Sequence, residues 1–319
     1  MVREQSRRRF LQLAAAGATS VGISSVASRK SRAVPAIEGP SVIGQTGTIV
    51  ASHSTPGQWQ RVNFETPFAL TPVVIMQPVG TRDSVPVSIR KVTRRGFEFT
   101  FTGQNGYRKD EPARVSYLAV ARGVHELSGS LINAEAGFVA ADTSLQTVSF
   151  DHSFAERPIV FAQSQTHSHQ GAAAGSEQSI TPQIDVTGSD QFSVRLQARG
   201  QHQRFKQSET VGYLAFEPGS GVLDPPMGAS NQLLGRFEIA TAQKSVMDPW
   251  HQLVFEHTYD QPILLAGVQT SPDAVSTRVA NLNSENAAIR PAHEPNTDAS
   301  DIPEHIGYAV FENEHLLYV

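Results

Sequence analysis

The chain has 319 residues, with 26 Lys and Arg against 30 Asp and Glu, 39% hydrophobic residues and no cysteine. Without cysteine there is no disulfide framework, no thiolate metal site and no cysteine nucleophile. The length alone suggests about two domains, a figure that internal repeats revise to three.

Residues 1–33 read as a signal segment of the twin-arginine type. Ser6-Arg7-Arg8-Arg9-Phe10-Leu11 precedes a mild apolar stretch from Leu13 to Val26, and the small residues Ala27 and Ala33 suit a peptidase. The apolar stretch is too short and too polar to cross a bilayer comfortably. The expectation is export by the twin-arginine route to an extracellular or cell-surface location, with no stable membrane span after cleavage. This segment holds seven of the basic residues and one acid, so the remainder carries 19 basic and 29 acidic residues, a net charge of −10. Such a chain repels phosphate backbones, and nucleic acid is not an expected partner.

After a linker at 34–43, one module is written three times, over 44–125, 130–220 and 231–319. The first repeat opens on Trp59–Pro72, W-Q-R-V-N-F-E-T-P-F-A-L-T-P. Residues 145–158 read L-Q-T-V-S-F-D-H-S-F-A-E-R-P, and residues 250–262 read W-H-Q-L-V-F-E-H-T-Y-D-Q-P. Each alternating run ends on Phe64, Phe150 or Phe255, with a second aromatic four residues on (Phe68, Phe154, Tyr259) and then Pro72, Pro158 or Pro262. Each repeat closes on V-S-Y-L-A-V (115–120), V-G-Y-L-A-F (211–216) or I-G-Y-A-V-F (306–311). First Phe and closing Tyr are 53, 63 and 53 residues apart; the middle repeat carries its extra residues in the Gly/Ala/Ser loop His167–Ser179. Repeats of this kind set the architecture before any other feature.

Within the first repeat, Val62/Phe64, Val73–Met76, Val85–Val92, Phe97/Phe99/Phe101 and Val115–Val120 have the period or apolar density of strands. Arg94-Arg95-Gly96 is turn chemistry. The other repeats follow the same order. In the third, Asn286-Ala287 replace the Gly-Phe pair, so that strand should be its weakest element. Residues 217–230, rich in Pro and Gly, read as the clearest linker. No window of the mature chain has the 3.6-residue period of a helix. The fold class expected is all-β: three tandem antiparallel β-sandwich modules of about six strands each.

The runs V-N-F-E-T-P-F-A-L-T-P-V-V, V-S-I-R-K-V-T-R-R-G-F-E-F and V-S-Y-L-A-V together resemble the H-type lectin module, and the resemblance extends over each repeat in turn. It implies a six-stranded antiparallel β-sandwich that binds sugars such as N-acetylgalactosamine and assembles as trimers or hexamers. In that family a Trp-His pair after the Gly-Phe strand helps hold the sugar. The corresponding positions here are Gln104-Asn105, Arg199-Gly200 and Glu294-Pro295, so the pair is missing. The family's closing-strand Trp is Tyr117, Tyr213 and Tyr308. A single chain with three such modules suggests packing about a pseudo-threefold axis, with self-association as a further reading.

Binding would sit in loops at the sandwich ends. One loop holds Arg82 and Asp83 in the first repeat. The loop before the closing strand holds Tyr107 and Arg108 in the first repeat and His202, Arg204 and Phe205 in the second. Planar hydrogen-bonding groups beside an aromatic face suit a sugar ring; solvated loop ends are the plain alternative for each. Trp59 and Trp250 read as caps on the sandwich core, with a binding role as the alternative. His167 and His169, with His202, could ligate a metal, but a His in a Gly/Ala loop is ordinarily solvated, and no metal or cofactor is assigned. Asp298 and Asp301 lack calcium-loop spacing. There is no G-x-S-x-G, no H-E-x-x-H and no phosphate loop, and the acid pair Asp110-Glu111 has no counterpart in the other repeats. The expectation is an exported, non-catalytic protein that binds glycans or surface polysaccharide. The alternatives are a structural or protein-interaction module of the cell envelope without a sugar site, and a secreted hydrolase.

Overall fold

The alternating runs fold as strands throughout. The computed structural model describes residues 42–51, 58–80, 86–102, 113–127, 132–168, 180–198, 208–223, 235–243, 250–270, 275–293, 305–312 and 316–318. Every regular element among them is a strand, so the chain is all-β, as expected. No helix among the described residues is long and apolar enough to cross a membrane.

Among the described residues, each repeat contributes seven strands. The first holds β1 (Val42–Ala51), β2 (Gln60–Asn63), β3 (Pro72–Val79), β4 (Val87–Thr93), β5 (Gly96–Phe101), β6 (Ala113–Ala121) and β7 (Gly123–Leu127). The second holds β8 (Ile132–Ala141), β9 (Gln146–Ser149), β10 (Ile159–Ser164), β11 (Ile180–Asp185), β12 (Gln191–Ala198), β13 (Glu209–Phe216) and β14 (Gly219–Leu223). The third holds β15 (Gly235–Gln243), β16 (His251–Val254), β17 (Pro262–Val268), β18 (Val275–Ala280), β19 (Asn286–His293), β20 (His305–Glu312) and β21 (Leu316–Tyr318).

Two antiparallel sheets make each sandwich. The smaller strand sets are β2-β5-β4, β9-β12-β11 and β16-β19-β18; a parallel bridge between Val79 of β3 and Val279 of β18 joins the last of these to the larger set of the first repeat as one seven-stranded sheet. The larger sets have four strands each: β21-β1-β6-β3, which is part of that seven-stranded sheet, and the separate sheets β7-β8-β13-β10 and β14-β15-β20-β17. Strands β7 and β14 pair with the strand that follows them, whereas β21 performs the same task for β1 from the other end of the sequence. The last repeat thereby completes the first, and the three sheets close into a cycle.

The first strand of each repeat has no counterpart among the expected runs. Its apolar alternation is broken where the closing tyrosine crosses it. Tyr117 and Tyr213 lie so close over Gly47 and Gly137 that a Cβ at either glycine would overlap the phenol ring. Segment 217–230, expected as a linker, contains β14, because pairing with β15 uses only backbone groups and Leu223 is buried. Strand β19, expected to be weak, runs for eight residues with partners on both sides. Leu253 and Tyr259 join Ala287 and Ile289 in its core, larger residues than the Val62 and Phe68 of the first repeat.

Two of the four apolar cores among the described residues are internal to one sandwich each, and that of the third sandwich also takes Val79 from the end of β3. The repeated aromatics stand there edge to face: Phe64–Phe68 at 4.9 Å, Phe150–Phe154 at 5.0 Å and Phe255–Tyr259 at 5.7 Å between ring centroids. Their amides dock on the β4–β5 turn and its equivalents. Phe64 and Phe68 donate to the carbonyls of Arg95 and Arg94, Phe150 and Phe154 to Asp190 and Ser189, and Phe255 and Tyr259 to Glu285 and Ser284.

The fourth core is shared by all three repeats. It takes Val73, Ile75, Leu118 and Val120 from the first, Ile159, Phe161, Leu214 and Phe216 from the second, and Ile263, Leu265, Ala309 and Phe311 from the third. These alternate along the strands with the residues facing each sandwich interior, so β3, β10 and β17 are buried on both faces, and this is why they read as unbroken apolar runs. Residues 39–319 accordingly form one compact unit, with equivalent positions of the three repeats meeting around a common centre.

Candidate functional site

All seven expected ligand contacts, Arg82, Asp83, Tyr107, Arg108, His202, Arg204 and Phe205, lie outside the described residues. So do His169, Asp298 and Asp301. His167 is described: its ring stands 5.3 Å from Trp59, edge to face, across the junction of the first two repeats. No three His, Asp or Glu side chains among the described residues converge as metal ligands.

The tryptophans require a correction. Neither Trp59 nor Trp250 belongs to a core; each is partly exposed and lies against a guanidinium, Arg90 at 3.8 Å and Arg290 at 4.7 Å from the ring centroid. Each stands an odd number of residues before the buried Phe64 or Phe255, which in an extended chain puts it on the opposite face. The cation–π contact then holds it on the outside of the sandwich.

Several buried or half-buried carboxylates are engaged in structure. Glu135 (1% exposed) accepts from the Tyr213 hydroxyl at 2.7 Å, and Glu238 (3% exposed) from the Tyr308 hydroxyl at 2.6 Å. Burial, and then the carboxylate bond, push both phenols well above the usual tyrosine range. Glu209 accepts from Thr166 Oγ1 and, at 2.7 Å, from the Ser168 amide. Glu217 binds the Ala155 amide at 2.9 Å and both the amide and side chain of Asn133 at 3.0 and 2.9 Å.

The first repeat differs in what its surface offers. A shallow groove of about 570 Å³ lies between the bend after β2 and the β4–β5 turn, lined by Arg61, Arg94 and Arg95, by Pro67 and Val92, and by Thr71 and Thr93. Arg94 donates from Nε to the Phe68 carbonyl at 2.6 Å, and Arg61 from Nε to Asn63 Oδ1 at 3.1 Å. Both guanidiniums are thus anchored at Nε, and among the described residues neither has a bond through its terminal nitrogens. Among the described residues, none of the three arginines has a carboxylate partner.

Arg90 and Lys91 extend the positive surface. Glu98 sits between Arg61 and Arg90 in the strand register and bonds to Arg90 at 2.8 Å and Lys91 at 3.1 Å. The Arg90 bond holds the Glu98 carboxyl below the usual carboxylate range. Among the described residues, five cations therefore face one neutralising acid; Glu65 does not line the groove.

The other repeats keep the docking of this turn on the aromatic bend and change its side chains. Where the first has Arg94-Arg95, the second has Ser189-Asp190 and the third Ser284-Glu285; Arg61 is matched by Thr147 and Gln252, and Arg90 by Asp185 and Ala280. The groove was visible in sequence as R-K-V-T-R-R, all six of whose positions differ from those of the other two repeats while the docking of the turn on the aromatic bend recurs. Comparison with known proteins returned no matching family model, no similar curated protein and no similar solved structure.

Proposed function

We propose that this is an exported, non-catalytic binding protein that recognises glycans or a cell-surface polysaccharide through its lectin-like repeats. The observation that carries the reading is the division between constant and divergent residues. The Phe–aromatic–turn docking recurs in all three repeats, whereas the side chains on that same turn change from Arg-Arg to Ser-Asp to Ser-Glu. A scaffold kept constant under a changing surface is what a recognition protein requires. The resemblance of the repeats to H-type lectins supports the same class of ligand, and three repeats in one compact unit would make second and third contacts intramolecular.

A glycan array probed with the mature chain tests this. Binding to a defined glycan set, weakened by Arg108→Ala or Arg204→Ala in the expected loops or by Arg95→Ala in the groove, is the expected result. Silence across the array rejects it. The reading left ahead would then be a structural or protein-interaction module of the cell envelope, which the shared core and the β1–β21 pairing favour because they make a rigid body. Export is tested separately: Arg7→Lys with Arg8→Lys should strand the protein in the cytoplasm, and unchanged export would exclude the twin-arginine route.

A further inference from the structure

Resting on the glycan reading, we infer that the groove of the first repeat binds an acidic polysaccharide, through carboxylate or sulfate groups that pair with Arg61, Arg94 and Arg95. Guanidinium forks match the planar geometry of a carboxylate and the oxygens of a sulfate ester, and they do so best where the side chain is already fixed. Arg61 and Arg94 are fixed through Nε. Pro67 and Val92 give the groove an apolar floor suited to the C–H face of a sugar ring.

The charge balance selects the class of polymer. The chain beyond residue 33 has a net charge of −10, yet five of its 19 basic residues (Arg61, Arg90, Lys91, Arg94, Arg95) gather on this one surface. Screening limits the reach of each charge to about 8 Å at physiological salt. A ligand is therefore attracted here only at close range, and a stiff, densely charged duplex would bring phosphates against the acidic second and third repeats. A flexible polysaccharide with at most one or two charges per sugar can follow the groove and avoid them. The equivalent surfaces of the other repeats carry Asp185 and Asp190, or Glu285, and would repel it.

The test measures binding of polygalacturonate, chondroitin sulfate and dextran to the mature chain at stepped salt concentrations. The expected result is binding of one or both acidic polymers, weakening with salt, and no binding of dextran. Carboxylate and sulfate are distinguished by which acidic polymer binds more tightly. Arg95→Glu and Arg61→Gln should each reduce affinity about tenfold or more, while Arg236→Glu on the third repeat should leave it unchanged. Melting curves of the variants check that each is folded; Arg95 makes no side-chain bond in the described structure, so its variant remains informative if Arg61→Gln is unstable. Binding of neutral glycans alone would overturn the inference and leave the glycan reading standing. No binding of any glycan, acidic or neutral, would overturn both. Duplex DNA bound as tightly and lost in the same variants would overturn the choice of polysaccharide.

Discussion

The side-chain amide of Gln165 closes on both backbone groups of Val74, accepting the amide at 3.0 Å and donating to the carbonyl at 2.8 Å. In an antiparallel strand the N–H and C=O of one residue point to the same side, and at Val74 they point away from β6, toward the edge of β3. A glutamine of the second repeat thus acts as a one-residue strand on the first. Gln163 acts two residues further along, accepting from the Met76 amide at 2.7 Å. Gln269 repeats the arrangement on Val160 of the second repeat, at 2.8 and 3.0 Å. In the first repeat the position is Val79, and a parallel bridge from Val79 to Val279 takes over, with the Gly80 amide donating to the Val279 carbonyl at 2.9 Å.

Gln165→Ala should therefore leave two buried backbone groups unpaired and cost about 2–4 kcal/mol, measured as a lower urea midpoint with an unchanged slope. Gln165→Glu should be destabilising as well, because a carboxylate cannot donate to the Val74 carbonyl. A loss below about 0.5 kcal/mol for Gln165→Ala, within the range of surface substitutions, would show that the clamp contributes nothing to the junction.

The closure of the cycle makes a second prediction. Leu317 is 2% exposed, sits opposite Gly44 in the β1–β21 pair and belongs to the shared core, as Leu127 of β7 and Leu223 of β14 do. Leu317→Ala should cost about 2–5 kcal/mol, similar to Leu127→Ala and Leu223→Ala, in thermal or urea unfolding. If Leu317→Ala were neutral while the other two were costly, β21 would be a frayed end and the ring open.

The legible part of this fold was what side-chain periodicity encodes. Phe97, Phe99 and Phe101 announced β5, and the paired aromatics announced the repeated bend. Strand β1 was silent because its pairing depends on Gly47 lying under Tyr117, a contact made with a residue 70 positions away. Strands β14 and β21 were silent because short backbone pairing leaves almost no pattern. Trp59 was misplaced by treating an aromatic as a core residue without counting its parity to Phe64. At the candidate site, the loop residues named from sequence fall in segments outside the described residues. The arginine groove was encoded in plain view, as a basic run on a turn whose counterparts are Ser-Asp and Ser-Glu, and it was missed because turn residues are read first for backbone geometry.

The buried Glu135–Tyr213 pair supports a third prediction. Tyr213→Phe removes one of the bonds to a carboxylate that is 1% exposed and should cost about 1–3 kcal/mol. Glu135→Gln should be milder than Glu135→Leu. The amide oxygen of a glutamine still accepts from the His152 amide, which bonds Glu135 at 3.0 Å, its nitrogen can donate to the Tyr213 hydroxyl oxygen instead, and Gln45 already stands at this position in the first repeat. Equal losses for the two Glu135 variants in thermal unfolding would mean that the carboxylate charge, not its accepting capacity, matters there.

Glu217 gives the chain a dependence on pH whose sign can be worked out. Burial tends to raise its pKa, but the bonds from the Ala155 amide and from the amide and side chain of Asn133 outweigh burial and hold it below the ordinary value of 4.5. A carboxyl with a lower pKa in the folded state adds stability above its unfolded value and loses it as pH falls through the folded one. Glu217→Gln should thus be less stable than wild type at neutral pH, by about 1 kcal/mol after allowing for its partial exposure. The difference should shrink as the pH falls below the ordinary carboxylate value, because wild-type Glu217 becomes protonated there and loses the advantage of its charge. Urea unfolding of both proteins from pH 7 down to about pH 3, a range spanning the carboxylate titration, measures this directly. Parallel stability curves over the whole range would show that the charge on Glu217 contributes nothing, and that its bonds to Ala155 and Asn133 hold equally well with a neutral side chain.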